Sequence, residues 1–127
     1  MANLPTTSLY RKRITELLRV GVSPREMYRA GQEDGCQPEL VNLTDILFFL
    51  RDKRLGRMSV IQESNSHAIF KIYDCVCCEL GTEHNCHYMA GFLAGALRVT
   101  GRPDTVKVRE VSCGGGPGCD CVFEAHW

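Results

Sequence analysis

The sequence predicts an α+β protein in which a four-stranded antiparallel sheet carries its helices mainly on one face. Two observations predict this class. The apolar residues recur with the helical period in the first half of the chain and alternate as in strands in two later pairs of segments. The length of 127 residues suits one domain with its own core. We therefore expect residues 1–127 to form a single domain, helical from about 6 to 55 and sheet-bearing from about 56 to 127.

Three helices are predicted before the first strand. The first covers residues 8–20, where leucine and isoleucine lie at near-helical spacing. The second begins after Ser23, because serine is a good N-cap residue and Pro24 suits the first helical position. The third covers residues 42–54, which are strongly amphipathic and are followed by Gly56.

Two pairs of strands and a further helix are predicted in the second half of the chain. The strands are expected over residues 57–63, 68–74, 105–111 and 121–127, and the helix over residues 86–99. Serine and asparagine supply turn residues between the first two strands, and a glycine-rich loop joins the last two. Within the helix, Gly91 and Gly95 lie four residues apart and predict close packing on the sheet.

Charge and composition exclude several functions. The 15 basic and 15 acidic residues balance, so no overall field attracts nucleic acid or an anionic membrane. The chain has neither the pattern of a secretory signal nor the run of about 18 apolar residues that spans a membrane. We expect a cytoplasmic protein, in which eight cysteines indicate metal or redox chemistry rather than disulfides.

A candidate metal site follows from strand parity. Glu110 alternates with Val106 and Val108 onto the apolar face of its strand. A carboxylate in that position requires a partner, because an isolated buried charge is very costly. Cys121 is placed inward on the last strand, and Cys113 ends the strand that carries Glu110.

Cys86 completes this set from the predicted helix. It begins the buried stripe of the helix, where the helix N-terminus is expected to lower the pKa of its thiol. Three thiols and one carboxylate suit tetrahedral zinc. The sequence thus predicts a zinc site formed by Cys86, Glu110, Cys113 and Cys121.

Three segments together resemble the vinyl-4-reductase domain family. They are NCHYMAGFLAGALRVTG, VKVREVSC and CDCVFEAHW, and the resemblance covers residues 59–127 well. It implies the fold of transport-particle tethering subunits and of sensor domains in aromatic-responsive activators. It also implies zinc ligation by Cys86, Glu110, Cys113 and Cys121 and a small hydrophobic ligand such as an aromatic compound or a tetrapyrrole. For a chain that acts alone, we expect a homodimer formed through the N-terminal helices.

Alternatives remain open at the cysteines. Cys119 competes with Cys121 as a zinc ligand, and Cys75 and Cys78 form a C-x-x-C pair that suits an additional metal or redox site. With Cys77 nearby, the thiols are numerous enough for an iron–sulfur cluster. The predicted function is a zinc-binding sensory domain rather than an enzyme; the alternatives are a redox or iron–sulfur protein and an accessory protein of tetrapyrrole metabolism.

Overall fold

A computed structural model describes residues 7–80, 86–113 and 120–127. These residues form five helices and four strands, and the predicted α+β class is confirmed. The elements are α1 (Thr7–Val20), α2 (Pro24–Gly35), α3 (Leu43–Asp52), β1 (Arg57–Glu63), β2 (His67–Tyr73), α4 (Val76–Leu80), α5 (Cys86–Val99), β3 (Lys107–Cys113) and β4 (Cys121–His126).

The strands form one antiparallel sheet in the order β1-β2-β4-β3. Strand β3 begins and ends two residues later than predicted, so that Val106 is buried before the strand starts. Helix α4 was not predicted, because five residues are too few for a helical period to show. It follows Asp74, whose φ of 54° turns the chain sharply at the end of β2.

One face of the sheet packs against the helices and forms one side of the hydrophobic core. Ala68, Phe70 and Ile72 of β2 are buried on this face, as are Phe123 and Ala125 of β4. Helix α5 lies between the sheet and α2 and is buried along nearly its whole length. This burial fixes the N-terminal end of α5 in relation to the strands.

Four glycines bring α2 and α5 into backbone contact. A Cβ atom on Gly91 would lie 1.9 Å from the carbonyl oxygen of Tyr28, and one on Gly31 would lie 2.1 Å from that of Tyr88. Gly35 and Gly95 make equivalent approaches. The prediction that the α5 glycines face the sheet was therefore wrong: they face α2, because the sheet side of α5 is filled by larger side chains.

A buried polar contact ties α5 to the N-terminal helices. The fully buried Tyr88 donates its hydroxyl hydrogen bond to Oδ2 of Asp34, at 2.5 Å. Arg13 of α1 donates Nε to the same oxygen, also at 2.5 Å. Burial, followed by the hydrogen bond to Asp34, raises the pKa of Tyr88. This side chain therefore stays a neutral hydrogen-bond donor between three helices.

Ser23 caps the N-terminus of α2, as predicted. Its hydroxyl accepts a hydrogen bond from the backbone N–H of Glu26, and the Glu26 side chain accepts one from the backbone N–H of Ser23.

Among the described helices, none is long and apolar enough to cross a membrane.

Candidate metal centre

Four cysteine side chains meet where α4, the start of α5 and the ends of β3 and β4 come together. Cys78, Cys86 and Cys121 are buried, and Cys113 is half-buried. Cys121 lies directly opposite Cys113 in the sheet. The side chains therefore come from segments that are distant in sequence and are placed by the tertiary fold.

The sulfur atoms of this group form a compact tetrahedron. Cys78 lies 2.9 Å from Cys121, 3.1 Å from Cys113 and 3.7 Å from Cys86. Cys86 and Cys121 are 3.5 Å apart, Cys86 and Cys113 are 3.6 Å apart, and Cys113 and Cys121 are 3.5 Å apart. Four thiolates at the zinc–sulfur bond length of about 2.3 Å are separated by about 3.8 Å. The sulfurs of Cys86, Cys113 and Cys121, at 3.5–3.6 Å from one another, come close to this spacing, whereas Cys78 lies nearer than a fellow ligand would.

Glu110 lies beside the same sulfurs. One of its carboxylate oxygens, Oε2, is buried and has no hydrogen-bond partner in the described part of the chain. Ligand atoms of Cys86, Glu110, Cys113 and Cys121 all lie within 4.8 Å of one another. The structure thus brings the four predicted ligands together. A buried carboxylate oxygen without a hydrogen-bond partner is suited to coordinating a cation.

A β-bulge explains how Glu110 and Cys113 point the same way. Residues three apart in a regular strand face opposite sides of the sheet. Here Glu110 pairs with Phe123 while Cys113 pairs with Cys121, and the register shifts between Glu110 and Ser112. The extra residue turns Cys113 to the core side. Alternation alone did not predict this feature.

Further cysteines surround the tetrahedron. The sulfur of Cys75 lies within 4.8 Å of those of Cys78, Cys86 and Cys121. Cys78 is disulfide-bonded in this structure, so its sulfur becomes a thiolate only when that bond is reduced; for this cysteine the expectation of a free thiol was wrong. Cys119 lies outside the described residues, so its competition with Cys121 stays open.

The thiols perturb one another's pKa values. Hydrogen bonding with Cys121 and Cys75, together with burial, raises the pKa of Cys86. The sequence predicted a lowered pKa from the helix N-terminus, and this prediction was wrong. The hydrogen bonds with neighbouring sulfurs and the burial of Cys86 outweigh the effect of the helix dipole. Hydrogen bonding with Cys75 is likewise the main cause that raises the pKa of Cys121. Hydrogen bonds from Cys121, Cys77 and Cys86 lower the pKa of Cys75.

Burial and the neighbouring sulfurs therefore disfavour ionisation of Cys86 and Cys121 without a cation, because both pKa values are raised. Several adjacent thiolates repel one another strongly in a buried site. A bound cation removes this repulsion and allows the remaining thiols to ionise. The donor set of sulfur with one carboxylate therefore fits a soft or borderline divalent metal.

Comparison with known proteins supports the fold. No family model matches the chain. An uncharacterized protein of Methanocaldococcus jannaschii is 29% identical over 104 residues, a match that covers 79% of this chain but only 62% of the relative. The crystal structure of a vinyl-4-reductase family protein from the same organism superposes with a TM-score of 0.65 and 22% identity, covering 98% of this chain and 81% of that one.

This structural likeness extends over nearly the whole described chain. It confirms the predicted likeness to the vinyl-4-reductase fold. Because the identity is low, the likeness establishes the fold and not the chemistry of the site.

Proposed function

We propose that this protein is a zinc-binding, non-catalytic domain that binds a small hydrophobic molecule in a sensory role. The proposed zinc ligands are Cys86, Glu110, Cys113 and Cys121. The observation that carries the metal is the unsatisfied oxygen of Glu110 beside three thiols. When bound, zinc would hold α5, β3 and β4 together, which is the role of sites with four protein ligands and no open position.

The sulfur spacing favours one ion over a cluster. In a cubane iron–sulfur cluster each cysteine binds a different iron, so the sulfurs lie around a body larger than one atom. The Sγ–Sγ distances of 3.5–3.6 Å among the three proposed thiol ligands, Cys86, Cys113 and Cys121, are shorter than that arrangement needs. They agree with one zinc ion.

The ligand set has one close competitor. Cys78 lies beside the other thiols and could serve as a fourth sulfur ligand once its disulfide is reduced, whereas Glu110 has the unsatisfied oxygen. Replacing Glu110 by glutamine removes the charge and keeps the shape, and replacing Cys78 by serine removes one sulfur. Cys36 is the matched control, because its thiol contacts Gly95 and Arg98 away from the cluster.

The test measures metal content and ligand type on protein purified without oxygen. Zinc is quantified per chain, and cobalt is substituted because its absorption intensity follows the number of thiolates bound. We expect Glu110→Gln to lower zinc content, while Cys78→Ser and Cys36→Ser keep it. Full zinc in Glu110→Gln together with loss in Cys78→Ser would replace the proposed set by four cysteines.

Support for a hydrophobic ligand comes from an aromatic cluster between the helices. The rings of Phe49 and Phe92 stack with centroids 5.8 Å apart, and Tyr10 meets both edge-on. A surface groove of about 340 Å³ that includes Leu9, Tyr10 and Phe49 leads to this cluster. A flat aromatic molecule fits such a lining.

Ligand binding is tested by thermal unfolding in the presence of phenols and of tetrapyrroles. A saturable rise in melting temperature supports the sensory role, and a preference for tetrapyrroles would favour an accessory role in their metabolism. Phe49→Ala should abolish the shift. The absence of a shift with every apolar compound would refute this part of the proposal.

A homodimer is proposed through the N-terminal helical part. Leu9, Val20, Val41 and Phe48 are large apolar side chains that stand at least 59% exposed there. Burying such a surface against a second copy is favourable. Sedimentation of wild type and of Phe48→Glu tests this. The wild type should sediment as a dimer and the variant as a monomer, and a monomeric wild type would refute the proposal.

A redox or iron–sulfur function is the second candidate. It is favoured by Cys75, which supplies a sulfur beyond the four that a single zinc ion needs. Anaerobic protein with strong visible charge-transfer absorption and bound iron would support it. Colourless protein with one zinc per chain would exclude it.

A further inference from the structure

A second group of metal-ligating side chains lies on the opposite face of the sheet. His67, Glu124 and His126 point away from the core, because they alternate with the buried residues of β2 and β4. Nε2 of His67 lies 2.7 Å from one carboxylate oxygen of Glu124, and Nε2 of His126 lies 3.3 Å from the other. The ligand atoms of all three lie within 4.8 Å of one another.

The strand register brings the two imidazoles together. His67 is paired directly with His126. The backbone N–H of Trp127 donates to the carbonyl of Ser66 at 3.0 Å, so Ser66 and Trp127 form the adjacent hydrogen-bonded pair of the ladder. His67 and His126 are therefore a non-hydrogen-bonded pair, in which opposing side chains are closest. Their ring centroids are 4.8 Å apart.

We propose that His67, Glu124 and His126 form a second site, for a divalent transition metal such as zinc, nickel or copper. Two imidazole nitrogens and a carboxylate are ligands that these ions prefer. Bonds of about 2.0–2.2 Å place tetrahedral ligand atoms about 3.4 Å apart, so only small side-chain movements are needed. The remaining coordination positions face solvent, and the ion is exchangeable.

The charge of the carboxylate supports the same conclusion. Hydrogen bonds from His67 and His126, with Arg109 close by, lower the pKa of Glu124 to about 2. Glu124 is thus an anion at any physiological pH, held between two imidazoles. Both imidazoles must be neutral to bind a metal, so binding should weaken in acid.

Two neighbouring cations oppose binding. Arg109 donates to Oε1 of Glu124 at 2.7 Å and occupies one of the oxygens that a metal would use. Lys107 is paired with His126 on the adjacent strand. Removing the Arg109 charge should therefore strengthen metal binding. If Arg109 and Glu124 formed only a structural ion pair, the same substitution would remove that ion pair and leave metal affinity unchanged.

The experiment uses the whole chain with its cysteine cluster already loaded with zinc. Nickel is added in a calorimetric titration under anaerobic conditions, and released zinc is followed with a chelating dye. We expect one saturable nickel per chain without zinc release. The double variant His67→Ala/His126→Ala should lose this binding, Glu124→Gln should weaken it at least about tenfold, and Arg109→Gln should tighten it.

The matched control is His87→Ala, because His87 is a half-buried histidine on α5 that does not belong to this group. It should bind nickel as wild type does. Circular dichroism verifies that each variant is folded. Unchanged nickel affinity in the double variant, or no saturable nickel binding by wild type, would overturn the proposal while leaving the cysteine site untouched.

Discussion

Replacing Gly91 by alanine perturbs the closest contact between α2 and α5. The new Cβ would lie 1.9 Å from the carbonyl oxygen of Tyr28 and 3.0 Å from the backbone nitrogen of Gln32. The obstructing atoms are backbone atoms, which no rotamer change can move. The helices must therefore separate by about 1 Å, which opens the packing along both.

The size of the effect follows from two opposing contributions. Alanine is favoured over glycine within a helix by about 1 kcal/mol. Overpacking against a rigid neighbour costs about 3 kcal/mol, the upper end of the usual range. We therefore expect the free energy of unfolding to fall by about 2 kcal/mol, which corresponds to a decrease in melting temperature of roughly 8 °C for a domain of this length.

The assay is urea unfolding of the zinc-loaded protein, combined with zinc analysis. Cys86 begins the helix that carries Gly91, so separating the helices should also weaken zinc binding. Val99→Ala is the control, because Val99 is exposed on the same helix and its loss should cost less than about 0.5 kcal/mol. A Gly91→Ala protein as stable as wild type would show that the close helix contact is not required.

Three further outcomes are expected. Tyr88→Phe removes a hydrogen bond to the charged Asp34 and should lower the free energy of unfolding by about 2 kcal/mol; an unchanged urea midpoint would contradict this. Deleting Val111 removes the bulge residue and should turn Cys113 to the opposite face, so that zinc content falls; full zinc occupancy would refute the bulge argument. The folded pKa of Glu124 is lowered from 4.5 to about 2, so its contribution is present above pH 4.5 and is lost as the pH falls towards 2; the stability difference between wild type and Glu124→Gln should shrink over that window, and a pH-independent difference would disprove the linkage.

The sequence predicted the parts of the fold that local patterns determine. The bounds of β1 and α5 agree with the structure, because alternation and the helical period are clear in both segments. The placement of Glu110 beside cysteines also followed from strand alternation and motif. These inferences need only nearest neighbours along the chain.

The missed features depend on contacts between distant segments. The proximity of Cys78 to Cys121, 43 residues apart, requires the short helix α4 to fold against the end of the sheet. The inward direction of Cys113 requires a bulge whose position is set by pairing with β4. His67 and His126 carry no local signal at all, since only the register makes them neighbours.

The spacing of the thiols along the chain has a consequence for the unfolded state. Cys86 and Cys113 are 27 residues apart, so the proposed zinc ion would act as a reversible cross-link for as long as both thiolates hold it in the unfolded chain. Closing a loop of this length removes chain entropy worth about 3.5 kcal/mol. Removing such a cross-link would therefore enlarge the unfolded population roughly 400-fold through the unfolded chain alone.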